Sequence, residues 1–411
     1  MELMPGYKRS DVGVIPDDWD AKPLGEIGDS LIGLTYRPSE VRKYGTLVLR
    51  SSNVQNGTLC FDDNVFVDAD IPDRIMVRPG DILVCVRNGS RDLIGKSALI
   101  DERAVGMTFG AFMGVFRSEY GQFLRHVFQS GIFKKQINEH LGATINQITN
   151  KSLNSFKVPL PPTDEERTEI ACALSDVDAL LASLDQVIAK KRNLKQAAMQ
   201  KLLTGETRLP GFSGEWETLP AREIGFFKGG SGFPLGAQGE PNGEYPFFKV
   251  SDMNNEGNET FMTVANHYIS EQTRTRLGAT AFPPDSIVFA KVGAAVFLER
   301  KRILGQASCI DNNMAAFVLD KSRVDVGYVH ALLLNKKLSA LVTTTALPAL
   351  NAKQLGEMPL AVPPLPEQSA IATVLSDMDA ELSVLEARRD KTRNIKQAMM
   401  QELLTGKTRL V

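Results

Sequence analysis

The strongest constraint on this chain is that it repeats itself. Residues 170–209, IACALSDVDALLASLDQVIAKKRNLKQAAMQKLLTGETRL, return at 371–410 as IATVLSDMDAELSVLEARRDKTRNIKQAMMQELLTGKTRL, identical at 24 of 40 aligned positions with a constant offset of 201. A repeat of this strength decides the layout before any local motif does. Weaker matches surround it. The only two tryptophans, Trp19 and Trp216, open PDDWDAKPLGEIG and SGEWETLPAREIG. RPGDILVCV (78–86) matches PPDSIVFAK (283–291), and FKVPLPPTDEE (156–166) matches MPLAVPPLPEQ (358–368). The layout is therefore globular region, long helix, globular region, long helix: an α+β chain with boundaries 1–158, 159–209, 210–361 and 362–411. Its 411 residues suffice for two to four domains at about 100–200 residues each.

The helices are readable in detail. Pro159, Pro161 and Pro162 are expected to stop what precedes them, since proline fits neither a helix interior nor the middle of a sheet ladder. Thr163 followed by Glu166 reads as a capping box, and Asp164, Glu165 and Glu166 suit the positive end of a helix. Ile170, Leu174, Val177, Leu181, Leu184 and Ile188 alternate steps of four and three, the seam of a coiled coil. Ile371, Leu375, Met378, Leu382 and Leu385 keep the same phase. Polar patches at 190–193 and 391–394 interrupt the seams, which are read as resuming at Leu194 and Ile395. Gly205 and Gly406 are the expected C-caps.

Two helices that each carry one apolar stripe pack on each other, antiparallel because a globular region lies between them. About 34 residues at 1.5 Å give rods of about 50 Å. A generic helical hairpin is the plain reading. Packing, however, preserves a stripe, whereas KQAxMQxLLTGxTRL is kept on all faces. A surface kept twice points to the same partner bound twice across a pseudo-two-fold axis. The globular regions have drifted instead: RSSNVQNG (50–57) faces KVSDMNNEG (249–257), and VRNGSRDLIGKSALI (86–100) faces KVGAAVFLERKRIL (291–304). Constant rods with divergent heads describe an adaptor with one kind of partner and two different ligands.

Composition narrows the class. With 43% hydrophobic and 23% charged residues the chain is neither disordered nor fibrous. No apolar run reaches the roughly 18 residues of a membrane span, and the first twenty residues lack a signal-peptide core. Cys60, Cys85, Cys172 and Cys309 are scattered without a CxxC pair, which fits neither a zinc cluster nor a disulfide framework. A cytoplasmic protein with no membrane partner is expected. The net charge is −2, with 19 basic against 19 acidic side chains in 1–158 and 14 against 15 in 210–361. A free-standing DNA binder usually carries a basic surplus, so any nucleic acid must be met through local basic loops or with help from a basic partner.

The chain resembles the specificity subunit of type I restriction–modification systems. The likeness rests on the connectors VPLPP (158–162) and VPPLPEQ (362–368), on LSDVDA and LSDMDA, and on the terminal LLTGxTRL, in order and spacing over essentially the whole chain. The resemblance implies two mixed α/β target-recognition domains separated by two long antiparallel helices, which form a coiled-coil spacer with an internal pseudo-two-fold repeat. It implies a non-catalytic DNA-binding subunit that reads an asymmetric bipartite site in double-stranded DNA and docks two adenine-methyltransferase subunits. An ATP-dependent restriction (translocase) subunit would join for cleavage. No cofactor is implied on this chain: S-adenosylmethionine goes with the methyltransferase, and ATP and Mg with the restriction subunit. The rival from the residues alone is a non-DNA scaffold with two ligand-binding heads on a coiled coil.

Base edges are read by Arg, Lys, Asn, Gln and Ser, and phosphates by cations and backbone amides. In the first head the candidates are Arg50, Ser52 and Asn53, then Arg87, Asn88, Ser90, Arg91 and Lys96, then Thr144, Asn146 and Gln147. In the second they are Lys228, Lys249, Ser251 and Asn254, then Lys291, Arg300 and Lys301. Three enzyme-like patterns fit poorly. GSRDLIGKS (89–97) has five residues between its glycines where a Walker loop needs four. Asp285 and Glu299-Arg300-Lys301 imitate a magnesium nuclease, but the matching segment of the first half has Ile94 and Gly95 before Lys96. None of the Pro-Pro pairs sits in a methyltransferase [DNS]PP[YF] element. The four histidines, His126, His140, His267 and His330, have no ligand spacing, so neither a metal site nor a catalytic residue is expected.

Overall fold

The computed structural model describes residues 5–141, 146–342 and 348–410; the candidate Thr144 lies outside them. The chain forms two compact units, residues 1–185 with 387–411, and residues 186–386. Each unit holds one head and one half of each long helix. The helices are Asp164–Leu202 and Leu365–Leu403, 39 residues apiece. Among the described residues no helix is long and apolar enough to cross a membrane.

The head of the first unit is built on a four-stranded antiparallel sheet in the order Ser97–Leu99, Ile82–Cys85, Met113–Arg117, Asp29–Ile32. The strand ILVC is buried at every position, as a run covered on both faces must be. One face packs on Phe123, Leu124, Val127, Phe128 and Phe133 of the helices Gly121–Gln129 and Gly131–His140. A second sheet pairs Thr46–Leu49 with Thr108–Phe109 and Phe66–Val67. The second unit repeats the plan: Ile287–Ala290 lies between Lys301–Leu304 and Met314–Leu319, with Gly225–Gly229 beyond, and the helix Val326–Asn335 supplies Tyr328, Val329 and Leu333 to the core.

The proline connectors do not simply stop the chain. Lys157–Leu160 is a strand paired antiparallel with Asp20–Pro23, so Pro159 stands in a ladder opposite Ala21. Pro359–Val362 pairs with Glu217–Pro220 in the same way. A two-stranded ribbon consists only of edges, where proline's missing N–H is tolerated.

The two helices run antiparallel within each unit. In the first, Asp178 meets Lys396 at 2.6 Å; in the second, Lys195 meets Asp379 and Lys191 meets Glu381. Ile170, Leu174, Leu184, Ile188, Ile371, Leu375 and Leu382 are buried, and Val177, Leu181, Met378 and Leu385 are half-buried. Ile170 and Leu174 join the core of the first head together with Leu403, the last residue of the second helix, and Leu404 after it. The seam does not resume at Leu194 or Ile395: both are 47% exposed. The heptad continues from Ile188 through Lys191 and Lys195, whose stems turn inward and whose ammonium groups reach carboxylates across the seam. Leu194 is one position out of phase.

The capping box is also only half formed. Thr163 Oγ1 accepts the Glu166 N–H at 3.2 Å, but the Glu166 carboxylate does not return to the helix start. Fully buried, it accepts Trp19 Nε1–H at 3.2 Å and two guanidinium N–H groups of Arg409 at 2.6 and 2.8 Å. The second unit builds the same clamp from Glu367, Trp216 Nε1 at 3.2 Å and Arg208 at 2.5 and 2.6 Å. Gly406 and Gly205, at φ +68° and +73°, end the helices in the left-handed region and lie against those tryptophans; a Cβ on Gly406 would stand 2.5 Å from Pro16 and 3.2 Å from Trp19. The repeated TGxTRL is thus explained in part by an internal clamp.

In the first unit the head helix docks on the first long helix through Arg125, which donates to Asp178 at 3.0 Å. The adjacent His126 is fully buried, with Nε2 3.3 Å from Ser175 Oγ. Burial, reinforced by Arg125, pushes its pKa down to about 3.

Two outcomes follow. Glu166→Gln removes the charge from a buried clamp while Arg409 keeps Asp18, so chemical denaturation should show a loss of about 2 kcal/mol, with limited proteolysis loosening the first unit before the second. Because the folded pKa of His126 lies below its unfolded value near 6.5, its contribution is fully present above that pH and is lost as pH falls from about 6.5 toward 3. His126→Gln should flatten the acid limb of a Tm-versus-pH curve in that window.

Candidate nucleic-acid interface

In the first head, the strand Thr46–Leu49 ends in a single 3-10 turn, Ser51–Asn53. Asn53 Oδ1 accepts the Arg50 N–H at 2.9 Å, and its amide donates to Cys60 O and Asp63 O. Asn53 is wholly buried, so it shapes the turn and is not placed to meet a base edge. Around that turn the fold gathers four of the other candidates. Asn88 Nδ2 donates to Ser51 Oγ at 3.4 Å, and Lys96 Nζ to Ser51 O at 3.3 Å. Arg50 reaches Asp63 at 2.8 Å with its terminal nitrogen. Arg50 Nε and Ser52 Oγ are buried without a hydrogen-bond partner among the described residues. Unmet polar atoms beside two cations are the kind of feature a ligand completes. Beneath them Cys85 is buried and its thiol pKa is raised by that burial, so it holds no thiolate for chemistry.

Arg87 pairs through the backbone with Gln147, and its guanidinium lies 5.3 Å from the ring centre of Phe112, which is 60% exposed. Asn146 and Ser90 are exposed near these elements, with the Ser90 N–H on Asn88 Oδ1 at 3.0 Å. Arg91 departs from the group: it donates to Asn138 O and Leu141 O, capping the helix Gly131–His140.

The second head places Lys249 where the first has Arg50. Phe248 pairs with Ile310 as Leu49 pairs with Phe109, and Asp252 accepts the Lys249 N–H at 2.6 Å as Asn53 accepts that of Arg50. Lys249 Nζ donates to Gln238 Oε1 at 3.1 Å, and Ser251 is exposed. Asn254 takes a hydrogen bond from Arg300. Lys228 is exposed on Gly225–Gly229, and Lys291 Nζ lies against the adjoining Gly229 backbone. Lys301 is not a surface reader: it is 1% exposed, paired with Glu299 and donating to Lys336 O at 2.9 Å. The alternation along the strand Lys301–Leu304 turns it inward, which a list of charged residues does not reveal.

The residues of the enzyme-like patterns make structural contacts. Asp285 pairs with Lys321, while Glu299 accepts the Leu338 and Ser339 N–H groups at 3.1 and 2.8 Å. The Walker-like stretch ends in the strand Ser97–Leu99. Among the described residues no group of three or more His, Cys, Asp or Glu side chains is set to hold a metal. Polar residue types give no sign of the exposed Phe112 in the first head or of the neighbouring pair Phe297-Leu298 in the second, the latter two 57% exposed each. Their only sequence signal is large apolar residues inside loops between strands.

Two heads with a shared cationic turn and unlike loops can be set beside known proteins. The chain matches the family described as type I restriction modification DNA specificity domain twice, over residues 16–191 and 213–392. It is similar to the type I restriction enzyme EcoKI specificity subunit of Escherichia coli (strain K12), 27% identical over 206 residues. That match covers 47% of this chain and 44% of that one. It is 25% identical to the putative type I restriction enzyme MjaX specificity subunit of Methanocaldococcus jannaschii, covering 98% of this chain and 97% of that one. In fold it is similar to the S subunit of a type I restriction-modification system from M. genitalium, with TM-score 0.60, 15% identity and 98% of each chain covered. A chain from a structure of type I R-M complex assembly gives TM-score 0.57 at 17% identity, covering 96% of this chain and 99% of that one. With both heads and most of both helices inside the matched regions, the chain belongs to the type I restriction–modification specificity family and carries two copies of its DNA specificity domain.

Proposed function

We propose that this chain is the non-catalytic, sequence-reading and assembly subunit of a type I restriction–modification complex. Its two unlike heads read two unlike halves of a bipartite site in double-stranded DNA. Its helices dock two adenine-methyltransferase subunits, which bring S-adenosylmethionine, and a restriction subunit bringing ATP and Mg joins for cleavage. The observation that carries the docking is on the helix surfaces. Arg192, Asn193, Gln196, Ala197 and Gln200 recur as Arg393, Asn394, Gln397, Ala398 and Gln401, and all ten are exposed. Arg192 also pairs with Glu386 of the other helix, but neither the seam nor the clamp requires the remaining identities, so a partner bound twice is the economical reason for them.

The DNA reading is supported by family membership and by the cation that each head holds on the same capped turn, Arg50 in one and Lys249 in the other. Methylation profiling of cells that express the chain with its methyltransferase should yield two different short motifs around a constant gap. Arg50→Ala should weaken or relax only one half and Lys249→Ala only the other, by about tenfold or more for a lost base contact. A single continuous palindrome, or both halves changing together, overturns the assignment.

The charge of −2 adds a second outcome. The chain alone should bind duplex DNA weakly, and the assembled complex tightly, with affinity falling steeply between about 50 and 200 mM salt. A scaffold for other ligands would show no such dependence.

A further inference from the structure

The loop that follows the central strand differs sharply in chemistry between the two heads. In the first head it runs from Cys85 to the strand Ser97–Leu99, and in the second from Ala290 to Lys301–Leu304, where Val84 pairs with Ser97 and Phe289 with Lys301. Each loop closes two residues before that pair in a left-handed residue: Gly95 at φ 85° in one, Glu299 at φ 54° in the other. Each also sinks one apolar anchor, Ile94 or Val296. The tip of the first loop is polar, with Ser90, Arg91 and Asp92 exposed. The tip of the second is Phe297-Leu298, with 57% of each residue exposed.

That tip is held at both ends. A left-handed glutamate is strained unless its surroundings hold it, and Glu299 is held by the Leu338 and Ser339 N–H groups and by the buried Lys301 ammonium. At the other end the Gly293 N–H donates to Pro348 O at 2.8 Å, and beneath it Val296 packs with Leu338 and Leu341. Two adjacent large apolar side chains are thereby kept in water on a fixed turn, which folding alone does not require. Cations flank the tip along the chain: Lys291 begins the loop, Arg300 follows Glu299 and bonds Asn254 of the turn that starts from Lys249, and Lys337 precedes the segment that holds Glu299. An apolar tip flanked by cations is complementary to a polyanion whose interior is apolar, the stacked bases of a duplex.

We propose that Phe297 and Leu298 form an apolar wedge that enters the minor groove in one half-site and partly unstacks a base step. The corresponding loop of the first head, by contrast, carries only polar side chains at its tip. This rests on the DNA-reading role proposed above and adds its mode: one half of the target is selected in part by how readily a step opens, as pyrimidine–purine steps do.

The test uses the assembled complex with its methyltransferase subunits and duplexes carrying its own methylated motif, with 2-aminopurine replacing in turn each adenine, on either strand, in and beside the half-site that Lys249→Ala affects. The wild-type complex should raise the fluorescence at one step. The double variant Phe297→Ala/Leu298→Ala should abolish that rise and weaken specific binding about tenfold or more, while co-purification with the methyltransferase and the other half-site stay unchanged. Phe297→Leu, which keeps an apolar wedge, should retain most of both signals. The wedge is overturned if the double variant keeps the fluorescence rise and the affinity, or if it loses methyltransferase association instead, which would make the tip a protein contact. If the wild-type complex does not discriminate its motif at all, the DNA-reading role itself fails, a result distinguishable from failure of the wedge.

Discussion

Each half of this protein depends on a buried carboxylate. Glu166 and Glu367 stand in the first turns of the two long helices and are fully buried; a charge so placed is tolerable only with close, hydrogen-bonded partners. Those partners come from distant parts of the chain. Glu166 is satisfied by Trp19, near the start, and Arg409, near residue 410, while Glu367 is satisfied by Trp216 and Arg208. The clamp thus ties together the strand that opens a head, the start of one helix and the tail of the other. Gly406 and Gly205 let the helix ends turn tightly enough to lay that arginine beside the tryptophan.

The scaffold of the heads is repeated down to individual pairings: Arg87 bridges Gln147 as Val292 bridges Ala349, and Leu34 bridges Gly110 as Ser231 bridges Asp311. On that common frame the first head presents Arg50, Ser52, Asn88, Lys96 and an exposed Phe112, and the second presents Lys249, Ser251, Lys291 and the Phe297-Leu298 tip. Both capped turns use a buried side chain, Asn53 or Asp252, to fix the backbone that carries the cation. Position is conserved between the heads while chemistry varies, an economical arrangement for two readers of different ligands.

Much of this was legible in the residues. The 201-residue offset determined that whatever is built is built twice, and the steps of four and three from Ile170 to Ile188 determined a helical seam, because side-chain direction in a helix follows directly from spacing. The cation-bearing loops were also within reach, since Arg and Lys between strands rarely bury their charge, although Asn53 in the same loop turns out wholly buried.

What only the tertiary structure decided is how polar side chains are spent. Glu166 reads as a capping residue and is instead the centre of a clamp; Lys301 reads as a surface cation and is buried under Glu299; Arg91 reads as a DNA contact and ends a helix; Leu194 reads as seam and faces water while Lys191 and Lys195 fill the register. Periodicity reports which way a residue faces within its own element, whereas the partner that satisfies a charge comes from across the sequence, 243 residues away for Glu166 and Arg409. Desolvation makes those distant pairings compulsory, and only the folded chain shows where they fall.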